Sequence, residues 1–222
     1  MAAIIQSYWS MLLGALGKTL LLTLLSLFFA MIIGMIFALM NVGRSRVCNC
    51  IGTIYVDAVR GVPLIVLAYF IYFGVPAGIK MMGIQDFRLS ALQAGTIALS
   101  MNCGAYMAEI IRAGIESVDK GQMEASRSLG LSYGKSMRLV VIPQAIRTMI
   151  PSIINQFIIT LKETSILSVI GVPELTNMGK TISGNTFKSL QTWAIVGIMY
   201  RVSIITLSKI AKKIERRIKR GR

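Results

Sequence analysis

The sequence predicts an all-α polytopic membrane protein of five transmembrane helices, and three observations carry that expectation. Of its 222 residues 55% are hydrophobic, and the mean hydropathy is +0.68, against roughly 45–50% apolar usage in soluble domains. The apolar residues gather into windows of the ~20 residues that a helix needs to cross a bilayer. The 24 basic residues fall mainly in the gaps between those windows.

The first predicted span covers 16–40, where Leu20, Leu21, Leu22, Leu24 and Leu25 lead into Ile32, Ile33 and Ile36 with no charge after Lys18. Residues 1–15 precede it as an external N-terminal segment. They lack a basic leader region and a small-residue cleavage site, so the first span is expected to remain as an anchor. Residues 41–60 carry Arg44, Arg46 and Arg60 against Asp57, interrupted by Gly43 and Gly52, and read as a polar connection with room for a short interfacial helix.

The second span covers 62–79. Pro63 sits in its opening turn, where a missing N–H is harmless, and Pro76 and Gly78 mark a fraying end. The third, 89–111, holds the polar cluster Ser100, Asn102 and Cys103 beside Gly104. Residues 112–147 form the longest polar segment. Glu116, Asp119, Lys120, Glu124, Arg127, Lys135, Arg138 and Arg147 are interleaved there with apolar residues at helical spacing, broken by Gly130 and Gly134. That pattern predicts two short amphipathic helices joined by a turn.

The fourth span covers 149–172, with Pro151 in its opening turn and Lys162 and Glu163 well inside it. The fifth covers 190–207, closing a transmembrane domain over 16–208. Residues 209–222 form a basic tail whose only acid is Glu215: Lys209, Lys212, Lys213, Arg216, Arg217, Lys219, Arg220 and Arg222. Such a tail suits an anionic cytoplasmic leaflet.

The net charge of +15 raises nucleic-acid binding as a class, since basic clusters neutralise phosphates. The placement of the charge favours topology instead. With the C-terminus inside, the cytoplasmic segments hold seventeen basic residues and the external ones four, Lys80, Arg88, Lys180 and Lys188, as positive loops are retained inside. The N-terminus then lies outside the cytoplasmic membrane.

Cys48, Cys50 and Cys103 form neither a disulfide framework nor a zinc spacing, and with no histidine in the chain no metal site is expected. No Gly-x-x-x-x-Gly-Lys-Ser/Thr loop occurs, and no nucleophile stands beside a histidine base. Chemistry within this chain is not expected. The 14 methionines are scattered through the spans and read as adaptable packing.

The segment 112–147 contains Glu124, Ala125 and Ser126, then Gly130, then Val140, Val141, Ile142 and Pro143. It resembles the cytoplasmic coupling motif of binding-protein-dependent ABC permeases, with Ser126 in place of the usual second Ala. An amphipathic helix of this kind can seat in a groove of a soluble partner and transmit its motion. Gly130 permits a sharp turn, Pro143 fixes the start of the fourth span, and Glu124 positions or caps the docking helix. Val59 to Leu64, Gly104 to Ile115 and Leu161 to Ser165 extend the resemblance over nearly the whole chain and narrow it to the polar amino acid subfamily. The resemblance implies a second permease subunit, two cytoplasmic ATP-binding subunits that carry ATP and Mg, and an external substrate-binding protein, with no cofactor in this chain.

Ionisable groups at membrane depth are functional candidates by default. Glu163 is a candidate for a substrate ammonium or cationic side chain, while Lys162 faces another helix or the dimer partner. A structural ion pair is an equal reading. Asn102, Cys103 and Gly104, with Asn155 and Glu163, are candidates to line a midplane cavity, and Leu67 with Tyr69 to line the same route; each also reads as helix-packing residues. Glu109 and Arg112, spaced i to i+3, are expected to form a local salt bridge. A non-ABC exporter or channel subunit is the competing class, and would require the coupling pattern to be accidental. A membrane-bound nucleic-acid or signalling module would need an appended domain.

Overall fold

The computed structural model describes the backbone of residues 2–43 and 45–220, and their side chains apart from 2, 3, 214 and 216–220. Arg44, Arg222 and the side chains of Arg216, Arg217, Lys219 and Arg220 therefore lie outside the described residues. Every regular element among those described is helical: α1 (Ala2–Val42), α2 (Arg46–Arg60), α3 (Leu64–Met81), α4 (Ala91–Glu116), α5 (Lys120–Ser128), α6 (Tyr133–Ile170), α7 (Leu175–Thr186) and α8 (Ser189–Arg220).

Four runs among the described residues are long and apolar enough to cross a membrane: Ile4–Val42, Leu64–Met81, Tyr133–Ile170 and Ser189–Lys213. The remaining long helix, α4, has 26 residues, thirteen of them buried, and forms the spine on which the others pack. Its start is set by a capping box, in which the Ser90 hydroxyl accepts from the Gln93 N–H at 3.2 Å and the Gln93 side chain accepts from the Ser90 N–H at 2.9 Å.

α1 lies along α4 at close range because small residues face each other. A Cβ on Gly34 would collide with Met107, and one on Gly104 would stand 2.7 Å from Ile33 Cγ2. Backbone approach of this kind is what small residues permit between membrane helices. The helix also begins earlier than the sequence suggests. Residues before 16 are not a separate segment but the first turns of α1, because Ile4, Leu12 and Ala15 bury against Leu175 and Ile182 of α7 and Ile195, Val196 and Met199 of α8.

The polar stretch 41–60 is mostly a true helix, α2, capped by Ser45. Gly52, Val56 and Val59 form its buried stripe. Tyr55 locks it to two neighbours, its ring stacked on Phe37 of α1 at 3.8 Å and its hydroxyl donating to the Met101 carbonyl of α4 at 3.0 Å. After Gly61-Val62-Pro63 the chain resumes as α3, whose Leu64, Leu67, Ala68 and Ile71 bury against Ala94, Ala98 and Leu99.

Three prolines expected to end or begin helices, Pro76, Pro143 and Pro151, lie inside them. Pro76 follows a widened turn at Phe70–Gly74, and Pro143 follows another at Met137–Val141. A proline removes a hydrogen bond and presses on the carbonyl four residues back. A wide i to i+5 turn just upstream absorbs the mismatch. Hence α3 continues to Met81 rather than fraying at Pro76, and the helix that holds the predicted fourth span begins ahead of 149, at Tyr133. α4 likewise reaches Glu116, beyond the expected 111, and α8 runs from Ser189 through the predicted fifth span into the basic tail.

α7 had no counterpart in the sequence reading. Its first turn is satisfied by Glu174, which is fully buried and accepts from the Asn177 N–H at 2.6 Å, the Thr176 N–H at 2.8 Å and the Tyr200 hydroxyl at 2.7 Å. The Leu175 N–H donates to Thr19 Oγ1 of α1 at 3.0 Å. One carboxylate therefore ties α7 to α8, and the adjacent amide ties it to α1.

Candidate functional site

Beyond the end of α4, the segment 112–147 folds into the short helix α5 and the start of α6, against which α5 packs. α5 is capped by Asp119, whose carboxylate accepts from the Gly121 N–H at 2.7 Å. Glu124 does not cap it. It lies exposed in the middle of the helix beside the exposed Ala125, while Ser126 turns inward and donates to the Met123 carbonyl at 2.9 Å.

The end of α5 is closed by a Schellman motif. Gly130 takes φ +85°, the Gly130 N–H donates to Arg127 O at 3.0 Å, and the Leu131 N–H donates to Ser126 O at 3.2 Å. The helix is braced from the other side by Gln144 of α6, which donates to Gln122 Oε1 at 3.1 Å. Pro143 stands one residue from that brace. Leu129, at 85% exposure, projects from the turn. A large apolar side chain held outward on a rigid, doubly braced helix is suited to filling a pocket on another protein.

Inside the bundle, Asn102 of α4 donates to Glu163 of α6 at 3.4 Å. This hydrogen bond joins two of the predicted cavity residues. Cys103 turns to a different face, where its sulfur accepts from Thr160 at 3.2 Å and Gln156 at 3.8 Å. Gly104 serves the contact with α1, and Leu67 lies in the apolar core of α3 and α4. Asn155 lines a separate open cavity of about 410 Å³ with Arg60, Tyr106, Glu109, Ser152 and Gln156.

Arg60 and Glu109 of that cavity belong to a charge cluster, only partly visible in the sequence, whose Arg112 and Glu116 line another cavity that shares those two residues. The expected pairing of Arg112 with Glu109 is present at 2.6 Å, and Arg112 also bonds Glu116 at 2.6 Å. Arg60, at the break between α2 and α3, completes the cluster from another element, 3.9 Å from Glu109 and 5.2 Å from the centre of the Tyr106 ring. Charge and cation–π contacts thus hold the end of α2 against α4.

Comparison with known proteins shows the family and the fold. The family of binding-protein-dependent transport system inner membrane components matches residues 30–220. The glutamine transport system permease protein GlnP of Escherichia coli K12 is 36% identical over 201 residues, covering 90% of each chain. The arginine transport system permease protein ArtQ of Bacillus subtilis is 35% identical over 207 residues, covering 93% of this chain and 92% of its own. Among solved structures, an amino acid ABC transporter with histidines matches with a TM-score of 0.88 at 38% identity, covering 96% of both chains. The MetNI methionine ABC transporter in an inward-facing form shares the fold at a TM-score of 0.80 and 19% identity.

Proposed function

Because the chain belongs to the family of binding-protein-dependent transport system inner membrane components, we propose that it is the permease subunit of an ATP-driven importer for a polar or charged amino acid. It lies in the bacterial inner membrane, with α4 as the third of five spans beside the four apolar runs, the N-terminus outside and the basic tail of α8 in the cytoplasm. The observation that carries the reading is α5, a helix fixed by a cap, a Schellman turn and a cross-brace yet presenting its Glu124 and Leu129 outward.

In this reading α5 docks on a cytoplasmic ATP-binding subunit, which holds ATP and Mg, and this chain carries no cofactor. A second permease, identical or related, completes the path, and an external binding protein delivers the solute. ATP-driven movement of α5 passes directly into α4 and α6, which flank it in sequence and hold Asn102 and Glu163. Those two residues form the solute contact, with Glu163 receiving the ammonium and Asn102 orienting the carboxylate. The Arg60 cluster closes the cytoplasmic side of that contact.

Affinity purification of this chain, co-expressed with the ATP-binding subunit encoded beside it, tests the docking step. The wild-type chain is expected to retain the ATPase in fixed ratio, and Glu124→Lys to lose most of it while remaining monodisperse. A folded wild-type chain that purifies without any ATPase would sink the proposal.

A further inference from the structure

Of the 24 basic residues, three stand inside apolar helices rather than between them: Lys18, Lys162 and Arg201. Lys162 of α6 and Arg201 of α8 line one open groove of about 590 Å³, with Ser165, Gly197, Tyr200 and Ile204. Both are exposed, and neither forms a salt bridge among the described residues. Arg201 lies twelve residues past Ser189, about 18 Å along a helix rising 1.5 Å per residue, well within a hydrocarbon core of about 30 Å. Two cations facing one groove at that depth are costly. They persist where an anion meets them.

Among the described residues the chain offers these two cations at most one counter-charge, Glu163 beside Lys162, which leaves one cation unmatched. Of the nine acids, Asp57, Glu109 and Glu116 line the polar cavity around Arg112. Asp119 and Glu124 belong to α5, Asp86 to the loop after α3, and Glu215 to the far end of α8. Glu174 is fully buried and already accepts three hydrogen bonds. Glu163, the next residue after Lys162, accepts from Asn102.

We infer that this groove binds a carboxylate of the transported solute, and that the solute class is the acidic amino acids. The inference rests on the import function proposed above. Lys162 and Arg201 line the groove, and with Glu163, next in sequence but outside that lining, they leave one positive charge in excess, which complements a solute with two carboxylates and one ammonium. A cationic amino acid would meet two like charges, and a neutral one would leave a cation unmatched at membrane depth. Ser165 and the ring of Tyr200 shape the groove, and Gly197 keeps it open, since a Cβ there would meet no atom within 4 Å.

The test is equilibrium binding of radiolabelled L-glutamate, L-glutamine and L-arginine to the purified permease–ATPase complex in nanodiscs, without the binding protein. L-glutamate is expected to bind at least about tenfold more tightly than L-arginine, about 1.4 kcal/mol. Arg201→Leu should weaken L-glutamate by about tenfold or more and L-glutamine far less, with Arg201→Lys restoring most of the loss. Arg201→Leu removes a charge from an apolar helix, so assembly should survive. Gly197→Leu fills the groove without changing its charge and should also block L-glutamate. L-glutamate binding that ignores both Arg201→Leu and Gly197→Leu would overturn the inference and assign the groove to lipid phosphate or to a different partner permease. Tighter binding of L-arginine than of L-glutamate would also overturn it. Binding of none of the three would remove the import reading and this inference together, whereas amino-acid binding independent of Arg201 removes the anion site alone.

Discussion

Gly130→Val is expected to uncouple ATP hydrolysis from solute movement while leaving the membrane helices folded. Gly130 holds φ +85°, and the two hydrogen bonds that close α5 depend on that left-handed residue. A β-branched residue there costs on the order of 1–3 kcal/mol, comparable to what the two closing bonds contribute. The turn would open, α5 would lose its fixed direction, and Leu129 would leave the position from which it projects. Substrate-stimulated ATP hydrolysis by the assembled complex should fall by about tenfold or more. Gly134→Ala is the matched control, because a Cβ at Gly134 meets no atom within 4 Å and its φ is not positive. That variant should behave as wild type. Equal activity of Gly130→Val and wild type would remove α5 from the coupling path.

Glu163→Gln is expected to raise the solute concentration that half-saturates transport by about 10–100-fold. A hydrogen bond to a charged group is worth about 1.5–3 kcal/mol, and the amide keeps the size and the bond from Asn102 while removing the charge. A structural ion pair with Lys162 would give a different pattern. In that case the substitution would lower thermal stability and maximal rate with little change in apparent affinity. Concentration-dependent uptake, read alongside a melting curve of the purified complex, separates the two. The exposed position of Lys162 and the bond from Asn102 to Glu163 both favour the solute contact.

The helical fold was legible because apolar windows report membrane spans regardless of detail, and Gly130 marked a sharp turn, which the structure closes with a left-handed residue. The limits of the elements were less legible. α1 extends to Ala2 because its first turns pack on α7 and α8, a tertiary contact that hydropathy does not encode. Pro76 and Pro143 looked like boundaries, yet a widened turn upstream carries each helix through. α7 escaped notice because Thr176, Asn177, Gly179 and Gly184 make a poor helix by propensity. Its stability comes from the buried Glu174 cap and from Gly179 fitting against Val196 and Trp193.

The candidate site was legible in part for the same reason. A glutamate inside an apolar run is conspicuous in any sequence, and Asn102 is conspicuous beside it. Their contact depends on how α4 and α6 are rotated, which also sends Cys103 toward Thr160 and Gly104 toward Ile33. Arg60 joined Glu109 from a separate helix, 49 residues away in sequence. The two cations of the groove, Lys162 and Arg201, could have been found by asking which basic residues topology leaves unexplained. Neither one signals the groove alone.

The most direct test of the whole reading is solute uptake by proteoliposomes holding this chain with its ATP-binding subunits, with ATP inside the same face as α5 and the binding protein on the other. Wild-type complex should accumulate a polar amino acid against its gradient only when ATP is hydrolysed, and the Gly130→Val complex should lose accumulation. Accumulation without ATP, or undiminished accumulation in the Gly130→Val complex, would contradict an importer driven through α5.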